Sequence, residues 1–117
     1  ARLMIADDRL LHVISEEALG QLKRSKPQDL YNLAWAFAKL ASDDVNLFRA
    51  LAAEALLNLK GFSCQGLSNL VWAFATVSMG NVELFHEVAL AASRNMKDFK
   101  TQELSNLVWA YAAVGIN

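Results

Sequence analysis

A tryptophan returns every 37 residues in this chain, at Trp35, Trp72 and Trp109. Each stands in the same phrase. Gln28–Ala38, Gln65–Ala75 and Gln102–Ala112 all read Gln-x-Leu-x-Asn-Leu-x-Trp-Ala-x-Ala. A period between about 20 and 50 residues marks a tandem array whose units cannot bury their apolar faces alone. The period therefore constrains the fold before any local propensity does.

The rest of the chain obeys the same ruler. Residues 1–24 align with 38–61 and with 75–98. Asp7, Asp44 and Asn81 share a column, and each carries a side-chain oxygen suited to an orphan N–H at a helix start. Leu10, Leu47 and Leu84 follow in one column, then Leu11, Phe48 and Phe85, and Leu22, Leu59 and Met96 close the segment. The pattern predicts helices over 7–23, 44–60 and 81–97. A second set of helices is predicted over 27–41, 64–78 and 101–115. Pro27 suits a first helical turn, where a missing N–H costs nothing. Phe62 precedes Leu67 by five residues, as Phe99 precedes Leu104, which matches a hydrophobic staple across a helix start. Ser25 takes that place before the helix at 27, so its start is expected to be looser.

No strand-like alternation interrupts these segments, and Pro27 is the single proline. The expected fold class is all-α, an α-solenoid of antiparallel helix pairs with about two and a half copies of a 37-residue repeat. Residues 1–24 are read as the second helix of a truncated repeat, 25–61 and 62–98 as full repeats, and 99–117 as the first helix of another. Together they form one continuous repeat domain, read as a segment of a longer protein. Within a first helix Leu67, Leu70, Val71 and Phe74 form one apolar stripe, while Trp72, Ala73 and Ala75 add a second apolar side. Trp72 is accordingly expected to wedge between repeats, so that Trp72→Ala costs roughly 3–5 kcal/mol.

Charge excludes the simplest functional reading. With 11 Lys+Arg against 12 Asp+Glu the net charge is −1, so no overall basic field draws in nucleic acid. Any such role must rest on where the charges sit. Cys64 is the single cysteine, which precludes an internal disulfide and fits a reducing compartment. No apolar run approaches the ~18 residues of a membrane span.

The thrice-repeated phrase, extended to Phe-x-x-Gln-x-Leu-Ser-Asn-Leu-Val-Trp-Ala-x-Ala, resembles the octotricopeptide repeat. The 37-residue spacing also resembles the related heptatricopeptide-type repeats of RAP-domain proteins. The resemblance covers essentially the whole chain. It implies an α-solenoid that binds single-stranded RNA and acts in organellar transcript maturation, stability or translation. It implies residence in a chloroplast or mitochondrion. Some related arrays are structural parts of organellar ribosomes.

Several columns are candidates for RNA contact, each with a plainer reading beside it. Lys23, Lys60 and Lys97 end the predicted second helices and are spaced to follow a phosphate backbone. The same lysines could simply complement a helix C-terminus. Lys26 and Lys100, with Arg24, thicken that edge. Asn32, Asn69 and Asn106 could read base edges. Their constancy favours a buried amide ladder instead, because a code should vary. Columns that do vary are Asp29/Gly66/Glu103, Tyr31/Ser68/Ser105 and Lys39/Thr76/Ala113. These are candidates for base selection or for plain solvent exposure. His12, Arg49 and His86 are expected on an outer face.

No His/Cys/carboxylate set has zinc spacing, and no glycine-rich phosphate loop occurs. Cys64 and the pair Glu16-Glu17 stand without partners that would complete a catalytic set. The chain is therefore read as no enzyme, with no cofactor and no metal. The leading expectation is an RNA-binding segment of an organellar gene-expression factor. The rival is a protein-interaction scaffold or a structural subunit of a large assembly, which the near-neutral charge favours.

Overall fold

The side chain of Asn81 accepts the N–H of Leu84 at 2.9 Å, and Asp44 accepts that of Leu47 at 3.0 Å. Each starts a helix where the aligned column predicts one. The third member of that column, Asp7, lies outside the residues described by the computed structural model, which are 8–40 and 42–115. They form six helices: α1 (Asp8–Gln21), α2 (Pro27–Lys39), α3 (Val45–Leu57), α4 (Cys64–Thr76), α5 (Val82–Arg94) and α6 (Thr101–Val114). The described residues are 83% helical, with no strand among them. The starts of α2, α4 and α6 stand 37 residues apart, as do those of α1, α3 and α5.

The odd-numbered helices are shorter than expected. They stop at Gln21, Leu57 and Arg94, and 3₁₀ turns follow at Leu22–Arg24, Leu59–Gly61 and Met96–Asp98. The cause is local. Asn58 and Asn95 donate their side-chain amides to the carbonyls of Glu54 and Ala91, offering the backbone an alternative to another α-turn. Lys23, Lys60 and Lys97 therefore sit in the 3₁₀ turns, past the α-helical ends. At α2 the serine that replaces the staple phenylalanine has its own task, since the Ser25 hydroxyl donates to the Gln21 carbonyl at 3.0 Å.

Helix α4 lies between α2 and α6 and is in close contact with both along its length. Small residues allow that approach. Ala34, Gly66, Ser68, Ala73, Ala75 and Ala110 are all buried. Helices α1, α3 and α5 pack on the other side, touching one another more sparsely. The two sets are joined by a recurring aromatic contact. Phe74 meets Phe48 edge-on at 5.1 Å between centroids, and Tyr111 meets Phe85 at 5.0 Å. Such pairs contribute about 0.5–1.5 kcal/mol beyond the area they bury. The Tyr111 hydroxyl also donates to the Phe85 carbonyl. Leu30, Leu47, Leu51, Leu70, Leu84, Val71 and Val88 fill the space around these rings and are fully buried.

The expected tryptophan wedge is found only in part: Trp72 packs against the core and lies beside Trp109 on α6, with ring centroids 6.2 Å apart. Trp35 is 43% exposed and Trp109 48% exposed, and Trp72 is half-buried. The phenylalanine two positions later (Phe37, Phe74) occupies the interior instead. On α2 the buried side takes Phe37, about 200° around the helix from the exposed Trp35.

Candidate nucleic-acid interface

The solvent side of α2, α4 and α6 is built from four recurring positions. Gln28, Asn32, Trp35 and Lys39 follow at spacings of four, three and four residues, so they form a single stripe along α2. Gln65, Asn69, Trp72 and Thr76 form the same stripe on α4, and Gln102, Asn106, Trp109 and Ala113 on α6. Because the three helices lie side by side, the stripes align into rows: glutamines, asparagines, indoles. No carboxylate stands at any of these twelve positions.

The asparagines are not the buried ladder that their constancy favours. Asn32 is exposed and Asn69 and Asn106 are half-exposed. None of the three side-chain amides has a hydrogen-bond partner among the described residues. A leucine follows each asparagine in sequence, and Leu33 and Leu70 are more buried than the amides beside them. The indoles beside them are in mutual reach. Trp72 and Trp109 have ring centroids 6.2 Å apart, tilted by 35°. Over Trp35 stands the Lys39 ammonium, 5.2 Å from the ring centroid, a cation–π contact. Thr76 turns its hydroxyl back to the Trp72 carbonyl at 2.8 Å.

The lysines expected at the edge are all exposed. Lys23, Lys60 and Lys97 occupy equivalent 3₁₀ turns, and Lys26 and Lys100 are the N-cap residues of α2 and α6. Among the described residues none of them forms an ion pair within 4.0 Å. Arg24 and Arg94 lie at the same end. Seven of the eleven Lys+Arg (Lys23, Arg24, Lys26, Lys60, Arg94, Lys97, Lys100) are thus at the connections leading into α2, α4 and α6. The opposite connections, 40–44 and 77–81, carry Asp43 and Asp44 and no cation. Asp98 lies in the connection leading into α6, and Asp29 and Glu103 in the first turns of α2 and α6, so the lysine-bearing end carries an excess of cations rather than cations alone.

Two of the variable columns turn out to serve the fold. The carboxylates of Asp29 and Glu103 accept the N–H of Lys26 at 3.0 Å and of Lys100 at 2.9 Å, half of a capping box. They anchor helix starts whose own N-cap is a lysine and has no acceptor to offer. Gly66 is buried against the Tyr31 ring, where a Cβ would come within 2.8 Å of Cε2. With no carboxylate possible at that place, α4 is capped by Ser63, whose hydroxyl accepts the Gly66 N–H at 3.0 Å. The next column behaves likewise. Tyr31 is half-buried and packs on Phe62 at 6.1 Å. Ser68 is completely buried and donates to the Glu103 carbonyl at 3.0 Å, tying α4 to α6. Ser105 is exposed. Asp29, Gly66, Glu103, Tyr31 and Ser68 are therefore structural, and Lys39/Thr76/Ala113 is the variable column that lies on the polar stripe.

Repeat constancy alone misses the indole and glutamine rows. A signal for them is present in the sequence. Asn32, Trp35 and Lys39 share one helical face, so a tryptophan in register with an amide and an ammonium belongs to the surface.

Burial pushes the Cys64 thiol up, and the nearby Asp98 and Glu103 carboxylates add to the effect, so it stays protonated and poorly nucleophilic. The Tyr111 phenol is pushed up to about 12 by burial. A recess of about 600 Å³ beside α1 and the start of α3 is lined by His12, Ser15, Glu16 and Asp44 among others. There the Ser15 hydroxyl donates to one Asp44 oxygen while the other caps α3. Among the described residues no group of His, Cys, Asp and Glu could hold a metal, and no helix is long and apolar enough to cross a membrane. No protein-family model matches the chain, and a search of curated proteins finds no match either.

Proposed function

We propose that this chain is a single-stranded RNA-binding helical-repeat segment, with α2, α4 and α6 as its RNA-facing layer. The arrangement is read as an α-solenoid. The close packing within the α2/α4/α6 row, against the sparser packing among α1, α3 and α5, favours an array curved toward the amide and indole rows. The observation that carries the reading is the concentration of cations at one end of that layer, beside a face that has polar amides and indoles but no carboxylate. A strand laid across the row would place phosphates at the Lys23/Lys60/Lys97 turns and bases over the stripe, the usual division of labour in single-strand binding. The resemblance to octotricopeptide repeats supports the same reading and extends it to a chloroplast or mitochondrial gene-expression factor, acting in RNA processing or translation within a ribonucleoprotein. In this reading the chain has no catalytic role.

A specific observation favours the rival reading, a protein-interaction scaffold or a subunit of a large assembly. Leu10, Val13 and Ile14 on α1 and Val108 on α6 are exposed apolar residues on the two outermost helices, a surface suited to protein contact.

Fluorescence anisotropy of the full chain with a short unstructured oligoribonucleotide, across a salt series, tests the proposal. Binding should weaken with salt. The triple variant Lys23→Glu/Lys60→Glu/Lys97→Glu should flatten the log–log slope by about 2, at roughly 0.7 for each phosphate no longer neutralised. An unchanged slope would refute the lysine edge. Absence of binding at low salt would refute the RNA reading in favour of the scaffold.

A further inference from the structure

Three indoles stand in register on the solvent side of this layer, Trp35 and Trp109 exposed and Trp72 half-buried. The interior between the two helix layers is already filled by Phe37, Phe48, Phe74 and Phe85. Trp35, Trp72 and Trp109 meanwhile keep ring surface in water beside amides that have no partner among the described residues. Each asparagine lies three residues before its tryptophan, one turn along the same face. We propose that the three indoles are stacking platforms for unpaired bases, with the asparagine amide one turn away positioned at the edge of the stacked base. This deepens the RNA reading above and rests on it. The occupant is identified by complementarity. A base has a π-face for the indole, donor and acceptor edges for the amide, and a backbone phosphate for the lysine edge. An apolar protein segment would leave the amides and lysines unanswered.

The three platforms are not equivalent. On α2 the Lys39 ammonium already stands over the Trp35 ring. A base must displace it, after which Lys39 is free for a phosphate. On α4 the Thr76 hydroxyl is tied back to its own helix, and on α6 Ala113 carries no polar group. Trp72 and Trp109 are therefore the open platforms, and the Lys39/Thr76/Ala113 column differentiates the repeats. The two rings stand 6.2 Å apart and are tilted, so bases lie on the row rather than between parallel rings.

The test compares two labelled oligonucleotides of equal length, one with bases and one with every position abasic. Both keep the phosphates. Tryptophan fluorescence of the unmodified chain should be quenched on adding the oligonucleotide with bases and should stay unchanged with the abasic one. Trp72→Leu and Trp109→Leu should each weaken binding of the base-bearing strand by about tenfold, within the range of stacking losses on truncation. They should leave binding of the abasic strand and the salt slope unchanged. Trp72→Phe, which keeps a ring and disturbs packing least, should retain most of the affinity. Equal losses on both strands, or no loss on either, would overturn the stacking platforms while leaving the lysine edge intact. No binding of either oligonucleotide would overturn the RNA reading and the platforms together, and would assign the indole row to a protein partner.

Discussion

Gly66 gives the sharpest test of how the repeats are held together. It sits in the first turn of α4 with the edge of the Tyr31 ring laid against it, so a Cβ built there would lie 2.8 Å from Cε2, 2.9 Å from Cδ2 and 3.3 Å from the Phe62 ring. Two effects oppose each other in Gly66→Ala. Alanine is favoured over glycine in a helix by about 1 kcal/mol, less in a first turn. Against this, overpacking typically costs about 1–3 kcal/mol, and moving Tyr31 gives up part of its packing on Phe62, of order 0.5–1.5 kcal/mol. Tyr31 is half-buried and can partly swing aside, which puts the cost in the lower half of that range. Gly66→Ala should therefore destabilise by about 1 kcal/mol. In a Tyr31→Ala background only the 3.3 Å approach to Phe62 remains, and the same substitution should stabilise by about 0.5–1 kcal/mol. Urea unfolding of the four chains yields the coupling energy, expected near 2 kcal/mol with unchanged m-values. If Gly66→Ala stabilised both backgrounds equally, the close approach of α2 and α4 would be wrong.

Two further predictions concern a turn and a titration. Ser78 follows α4 with φ of 59°, the place where α6 has Gly115 at 68°. The Met79 N–H closes that turn on the Phe74 carbonyl at 2.9 Å, a Schellman geometry that glycine adopts without strain. Ser78→Gly should raise stability by about 1 kcal/mol. Its melting temperature should rise by about 4 °C, and a fall in a thermal melt would contradict the assignment. The Tyr111 phenol, raised to about 12, ionises later in the folded chain than at its ordinary value of about 10. Its contribution is complete below about pH 10 and is lost as pH rises through about 12. Urea midpoints from pH 8 to pH 12 should therefore fall more steeply in the native chain than in Tyr111→Phe. Parallel pH profiles would show that Tyr111 is not buried against α5.

Much of this architecture is legible in the sequence because repetition amplifies weak signals. One Asp or Asn before an apolar run is a poor helix marker. Asp44 and Asn81 in one column, 37 residues apart, are a good one, and both cap as expected. What repetition does not reveal is the direction in which a column points. The tryptophans and asparagines recur as faithfully as the core leucines, so constancy alone assigns them to the interior. The helical face they share with Lys39 places them outside. Tyr31, Gly66 and Ser68 vary from repeat to repeat for another reason. Each solves the junction to the next helix with a different pair of shapes, and the partner in each case is about 35 residues away in sequence. The carboxylates of Asp29 and Glu103 are readable as caps, since each stands three residues after a lysine that cannot accept an N–H.

The most direct test of the proposed RNA-facing layer is an NMR titration of the isotope-labelled chain with an unstructured oligoribonucleotide. If α2, α4 and α6 face RNA, the shifting signals form a contiguous patch: Lys60, Gln65, Asn69 and the Trp72 indole N–H, with their counterparts on α2 and α6. The signals of His12, Arg49 and His86, exposed on α1, α3 and α5, should stay in place. Shifts confined to those three helices, or a spectrum that does not change, would contradict the RNA-facing layer.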